Sequence, residues 1–368
     1  MMAPIARVLY FRFSRIRILD FIVRCLILLG IVAVAAALSG RLLLPDAQAG
    51  VVGCDFARAL VLTLDASCSE VTFFPLVRDY ASLFHVIMIA AMGTYGFVLI
   101  DGLKSFFDSA TPKGVLRGPQ PIDQRLIAGV SGARTNSIAD IGLLLLGLGM
   151  CYVGTLGYNA NGIYPAFALE SKADDFALVA ASSSWSSFPS LGYFVFLLVG
   201  GIGNYYILQI AVAAASALLI GVRAFLRGAF RLLPLGQDPR WGWSTVFDAS
   251  RAGVVTSVFG LLGLLALLLR GGYENLPYLL LFPLIALGAV VPWFIINHIW
   301  GRAVDDTLIE LGANAASNGS QGSLARMKYI SVQLAPPRIV PLSASISQLI
   351  FTVIPGLVAF AQVSGLWG

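Results

Sequence analysis

Apolar residues recur in runs of about 20, each long enough as a helix to cross a hydrocarbon core of roughly 30 Å. The first run covers residues 21–44 and has an unbroken apolar centre from Cys25 to Leu38. Others cover 80–100, 138–158, 191–222, 253–269 and 276–300, the last with Pro283 and Pro292 inside it. A seventh run, 341–366, is interrupted by Pro355 and Gly356, so it crosses, kinks or re-enters. The pattern predicts an all-α, polytopic transmembrane helical bundle with six spans and this seventh segment, forming one membrane domain. A basic leader helix, Ile5 to Arg17, is expected ahead of the first span.

Composition removes the main alternatives. Of 368 residues, 58% are hydrophobic and 12% charged, where a soluble domain carries about 25% charged residues, and the mean hydropathy is +0.84. A disordered chain, a nucleic-acid-binding module and a soluble enzyme with one hydrated surface are all excluded.

Charge then gives direction, because Lys and Arg near span ends favour the cytoplasmic side. A cytoplasmic N-terminus places there five basic residues up to Arg24, five in 101–137, five in 223–252 and four in 302–340, nineteen of the 24. The opposite face, mainly loops 46–79 and 159–190, keeps five basic against nine acidic residues. The expected location is a bacterial-type inner membrane. A pI near 9.1 is then a topology signal and not a nucleic-acid signal, since the charge is spread over short juxtamembrane loops. It also favours contact with anionic lipid headgroups, worth about 1 kcal/mol per basic residue near the surface. Ala47-Gln48-Ala49 before Gly50 fits a cleavage site, but the long leader and long apolar stretch favour a retained span over a signal peptide.

Cys25 and Cys151 fall within spans, where a thiol packs as a small hydrophobe. Cys54 and Cys68 share the first extracytoplasmic loop, the compartment in which a disulfide would persist. The alternative is two unrelated free thiols.

Polar groups at membrane depth are functional candidates by default. His85 lies near the outer end of span two and His298 near the inner end of span six, too far apart to share a metal. Interhelical hydrogen bonding is the expected role of each. The 191–222 run exceeds what a bilayer needs and contains Gly200, Gly201, Gly203 and Asn204, followed by Gln209. One reading is a broken helix lining a polar cavity, as in secondary transporters. The other, favoured, is a tilted helix with glycines permitting close packing.

No GxxxxGK[ST], HExxH, CxxC, GxSxG or GxGxxG run occurs. Gly129-Val130-Ser131-Gly132 resembles the GxSG of rhomboid intramembrane proteases, with His298 as the only late histidine to serve as base. Its position in a basic loop and the long Ser-to-His separation argue against that chemistry. Catalytic residues, metal and cofactor are therefore not expected.

Two stretches are similar to a broad group of uncharacterised bacterial multi-span membrane proteins. One is Leu233-Pro234-Leu235-Gly236-Gln237-Asp238-Pro239-Arg240, continuing to Ser250-Arg251-Ala252-Gly253. The other is Pro292-Trp293 with His298, the helix Arg302 to Leu311, Pro336-Pro337 and Pro355. The resemblance covers about the C-terminal 140 residues and implies architecture only. Asp238, Arg240, Trp241 and Trp243 form a candidate interaction element, suited to the inner lipid interface or to a partner groove. The functional expectation is a scaffold, sensor or assembly subunit acting through basic cytoplasmic loops, its partners being membrane lipids and a protein, not nucleic acid. A transporter using Gly200 to Asn204 is the alternative.

Overall fold

The computed structural model describes residues 4–40, 42, 76–110, 137–161, 184–226, 243–271, 285, 296, 298–310 and 312–313. Its elements are α1 (Pro4–Leu9), α2 (Arg17–Leu38), a 3₁₀ turn (Leu76–Arg78), α3 (Tyr80–Ala110), α4 (Ser137–Asn161), α5 (Leu191–Leu226) and α6 (Ser244–Gly271), with a further helical stretch at 298–310. There is no strand among the described residues. Five helices, α2 to α6, are long and apolar enough to cross a membrane, which is the make-up of a multi-pass membrane protein. They correspond to the first five expected spans. The sixth run, 276–300, lies largely outside the described residues and the seventh, 341–366, wholly so, so the described residues hold five candidate spans.

Local chemistry sets the ends of these helices. α2 stops where Ser39 N–H donates to Ala35 O at 3.1 Å and Gly40 N–H to Ala37 O at 2.9 Å. Gly40 has φ 67°, the left-handed conformation that glycine adopts without penalty. Asp79 caps α3, its Oδ1 accepting the Ser82 backbone N–H at 3.2 Å and so satisfying a first-turn donor.

Neighbouring contacts give the threading. Val77 N–H donates to Leu42 O, so α2 and α3 are antiparallel. Gly102 faces Ala249, Gly253 faces Leu99 and Gly260 faces Met92, so α3 and α6 are antiparallel too. α4 and α5 are antiparallel, with Gly147 against Gly201 and Tyr205, whereas α3 and α5 are parallel, with Gly93 against Tyr206 and Gly96 against Ile210. The linkers 111–136 and 227–242 consequently leave from the same end of the bundle as the N-terminal leader. We call this the leader end and the opposite one the far end.

α3 is the hub, packing most extensively on α6 and also on α2 and α5. Two thirds of its span are buried (67%), against 22% for α2 and 28% for α4, which form the periphery. Inside a bilayer no water drives helices together, so close approach over small residues must supply the attraction. A Cβ on Gly147 would lie 2.7 Å from Gly201 O, and one on Gly102 would lie 2.9 Å from the Ala249 Cβ. The peripheral helices turn Ile18, Leu26, Val34, Leu38, Ile138, Leu145 and Leu146 outward, as lipid-facing surfaces require.

One alternative, the broken helix, and one expectation, the leader helix, are corrected. The helix containing Gly200 to Asn204 is continuous from Leu191 to Leu226. The leader is not one helix from Ile5 to Arg17: α1 ends at Leu9 and residues 10–16 form an irregular link before α2. The carbonyls of Leu9 and Phe11 are taken by side chains of α2 and α5 instead of continuing a helix.

Candidate functional site

The densest polar construction lies at the leader end, where α2, α3 and α5 grip the leader. Asp20 and Arg24 are four residues apart on α2, hence on one face, and both are buried, with Arg24 Nε 2.9 Å from Asp20 Oδ2. Asp20 Oδ2 also accepts from Thr94 Oγ1 of α3 at 3.1 Å, and its Oδ1 accepts the Phe13 backbone N–H at 2.8 Å. Arg24 also reaches the leader with both terminal nitrogens: Nη1 to Leu9 O at 2.8 Å and Nη2 to Phe11 O. Its guanidinium also lies 5.4 Å from the Phe13 ring centroid, a cation–π distance. From α5, the Tyr206 hydroxyl donates to the same Leu9 O at 2.8 Å.

Tyr10, 2% exposed, drops between these contacts, its ring 5.0 Å from Tyr206 and 6.5 Å from Phe97. The leader is therefore built into the bundle. A buried ion pair is tolerated at low dielectric only when its other donors and acceptors are also bonded, and here the leader backbone does that bonding.

On the other flank of α5, Tyr205 OH donates to Asp140 Oδ1 of α4 at 2.5 Å. Gln209 Nε2 donates to the same oxygen at 3.1 Å and to Tyr205 OH at 3.0 Å. All three are buried. Tyr205 lies about 21 Å along α5 from Leu191 at 1.5 Å per residue, well inside an ordinary hydrocarbon layer. Adjacent Tyr205 and Tyr206 thus join two polar clusters into one layer across the bundle.

The sequence candidates separate on this framework. Gln209 belongs to the polar layer. Asn204 donates from Nδ2 to Gly147 O at 3.2 Å, bonding α5 to α4. Gly200 and Gly201 face Cys151 and Leu148 of α4, and Gly203 faces Ile89 of α3; the glycines are helix-packing surfaces, and the broken-helix cavity is corrected accordingly. His85 is buried, its Nδ1 2.9 Å from Gly263 O of α6, and its ring is also near Gly203. His298 is exposed at the start of the 298–310 stretch.

Trp243 is not a lipid-interface or partner anchor. It is 2% exposed, with Phe106 at 5.5 Å and Trp300 at 5.4 Å. Burying three large aromatic surfaces together outweighs leaving an indole at the interface. Asp238, Arg240 and Trp241 lie outside the described residues, as do Cys54, Cys68 and Ser131. Among the described residues, no group of three or more His, Cys, Asp or Glu side chains gathers to hold a metal, and neither Cys25 nor Cys151 is in a disulfide.

Sequence reasoning passed over Asp20, Arg24, Thr94, Asp140, Tyr205 and Tyr206, treating the charged ones as loop charge. A signal was present. Asp20–Arg24 at the start of one apolar run and Tyr205–Gln209 inside another are both i,i+4 polar pairs, where a lone polar group would be costly and a pair implies a shared partner. No protein family, curated protein or solved structure matches the chain.

Proposed function

We propose that the protein is an inner-membrane scaffold, sensor or assembly subunit without catalytic chemistry of its own, acting through its leader end, which faces the cytoplasm. The observation that carries this reading is the use of the buried polar side chains. Arg24, Asp20, Tyr206, Asn204 and Gln209 each bond backbone or side chains of this same chain, so this interior polarity holds the leader and helices of the chain together. The orientation rests on the nineteen basic residues assigned to the leader, 101–137, 223–252 and 302–340. Bonding of α2 to Thr94 and of the leader to Tyr206 supports retention of the first span.

Cysteine accessibility tests the reading. In a background with the native cysteines replaced by serine, Asn204→Cys is expected to resist a membrane-impermeant maleimide from both sides. Ser105→Cys, exposed near the leader end of α3, reacts only when the cytoplasmic face is opened. Phe188→Cys, exposed at the far end, reacts in intact cells. Rapid labelling of Asn204→Cys would favour a transporter, and exchanged labelling of the other two would invert the orientation.

A further inference from the structure

The clasp leaves one side of the leader uncovered, and its chemistry is uniform. Arg12, Arg15 and Arg17 are exposed, and no acidic residue precedes Asp20, which is itself buried against Arg24. Arg12 braces the link, donating from Nε to Ser14 O at 2.8 Å and from Nη2 to Arg15 O at 2.5 Å. Among these cations stand exposed apolar side chains: Val8 at 73%, Phe11 at 59% and Ile16 at 62%. Cations interleaved with aromatic and aliphatic groups, where a span enters the hydrocarbon, suit the headgroup level of a leaflet.

From there one stripe runs along α2. Ile18, Ile22, Leu26, Gly30 and Val34 follow one another at i,i+4, and the four with side chains are all exposed by 44% or more. A Cβ at Gly30 would meet nothing within 4 Å. The stripe leads into an apolar groove of about 470 Å³ between α2 and the start of α5, walled by Leu26, Ile27, Ile31, Val34, Leu191 and Val195. One leaflet's share of the hydrocarbon, about 15 Å, corresponds to roughly ten residues of helix. Counted from Arg17, that reaches Ile27, where the groove opens.

We propose that this surface is a binding site for one anionic phospholipid, with its phosphate at Arg15 and Arg17 and an acyl chain along the Ile18–Ile22–Leu26 stripe into the groove at Gly30. Charge complementarity selects the headgroup, since guanidinium groups match phosphate oxygens bidentately, and the apolar groove selects the tail. The Asp20–Arg24 clasp holds the two at a fixed separation. The proposal rests on the multi-pass reading, but on neither the orientation nor the absence of transport, so the labelling experiment can fail without touching it.

The test uses the purified full chain in mild detergent, titrated with phosphatidylglycerol or phosphatidylcholine and read by native mass spectrometry. Each surface arginine adds roughly five-fold in affinity, so a preference of about ten-fold or more for phosphatidylglycerol is expected. Arg15→Gln with Arg17→Gln brings the preference to within about two-fold, whereas Arg251→Gln, at an exposed arginine within α6, leaves it unchanged. Gly30→Leu fills the groove where the backbone has room, lowering retention of both lipids several-fold while preserving their ratio. Equal retention of the two lipids by the wild type, or an equal loss in Arg251→Gln, would overturn the proposal. So would unchanged retention in Gly30→Leu, or an acidic protein or second copy held in place of lipid.

Discussion

Asp20 at the leader end and Asp79 at the far end are both buried aspartates, and the bundle satisfies them differently. At the leader end, Asp20 faces a cation, Arg24, together with Thr94 and the Phe13 N–H. At the far end, Asp79 is fully buried and accepts from Ser82 N–H, from Ser82 Oγ at 2.8 Å and from the Trp185 indole at 2.9 Å. Asp79 thereby caps α3 and pins the 184–190 turn, whose Trp185 packs edge-on against Phe196 at 5.8 Å. The same residue type serves as half of an ion pair in one place and as a helix cap in the other. The difference teaches that the leader end carries the greater electrostatic risk, because removing one partner strands a buried charge.

That contrast breaks most sharply at Arg24. Arg24→Met is expected to destabilise the protein by ~3–5 kcal/mol, measured by denaturant titration in micelles. The double variant Asp20→Asn with Arg24→Met recovers much of the loss, since a neutral pair needs no counter-charge; an additive double loss would refute the ion-pair account. Next is Trp185→Phe, which keeps the ring but leaves Asp79 one donor short, costing about 1–3 kcal/mol with no rescue at Arg24. Gly147→Ala forces α4 away from Gly201 O and costs about 1–3 kcal/mol. Tyr206→Phe removes one bond to Leu9 O and costs about 1 kcal/mol, read as faster proteolysis of the leader. The smallest effect, and of opposite sign, is at Gly142 and Gly149, which have open space around them; alanine at either stabilises the helix by about 0.5–1 kcal/mol.

The spans were legible because burial in lipid leaves a run of apolar residues that needs no partner to be recognised. Their observed ends extend beyond the apolar runs at Ser244 and Ala110, since helices continue where polar groups find partners. The favoured reading of Gly200, Gly201 and Gly203 as packing residues agrees with their contacts. The leader clasp was not legible. It depends on the Arg24 side chain reaching back fifteen residues to Leu9 and on Tyr206 arriving from 197 residues away, and periodicity carries no information about such meetings. Trp243 misled for the same reason, because an indole beside a basic stretch resembles an interfacial anchor until Phe106 and Trp300 are seen to enclose it.

The hub position of α3 has a consequence for biogenesis. Its principal companion, α6, begins at Ser244, 164 positions after Tyr80 starts α3. During synthesis the α3 surface bearing Met92, Leu99 and Gly102 therefore waits against lipid until α6 emerges, and non-local docking of this kind is slow. A nascent chain arrested before Ser244 would leave that surface bare, marking it for membrane quality-control proteases.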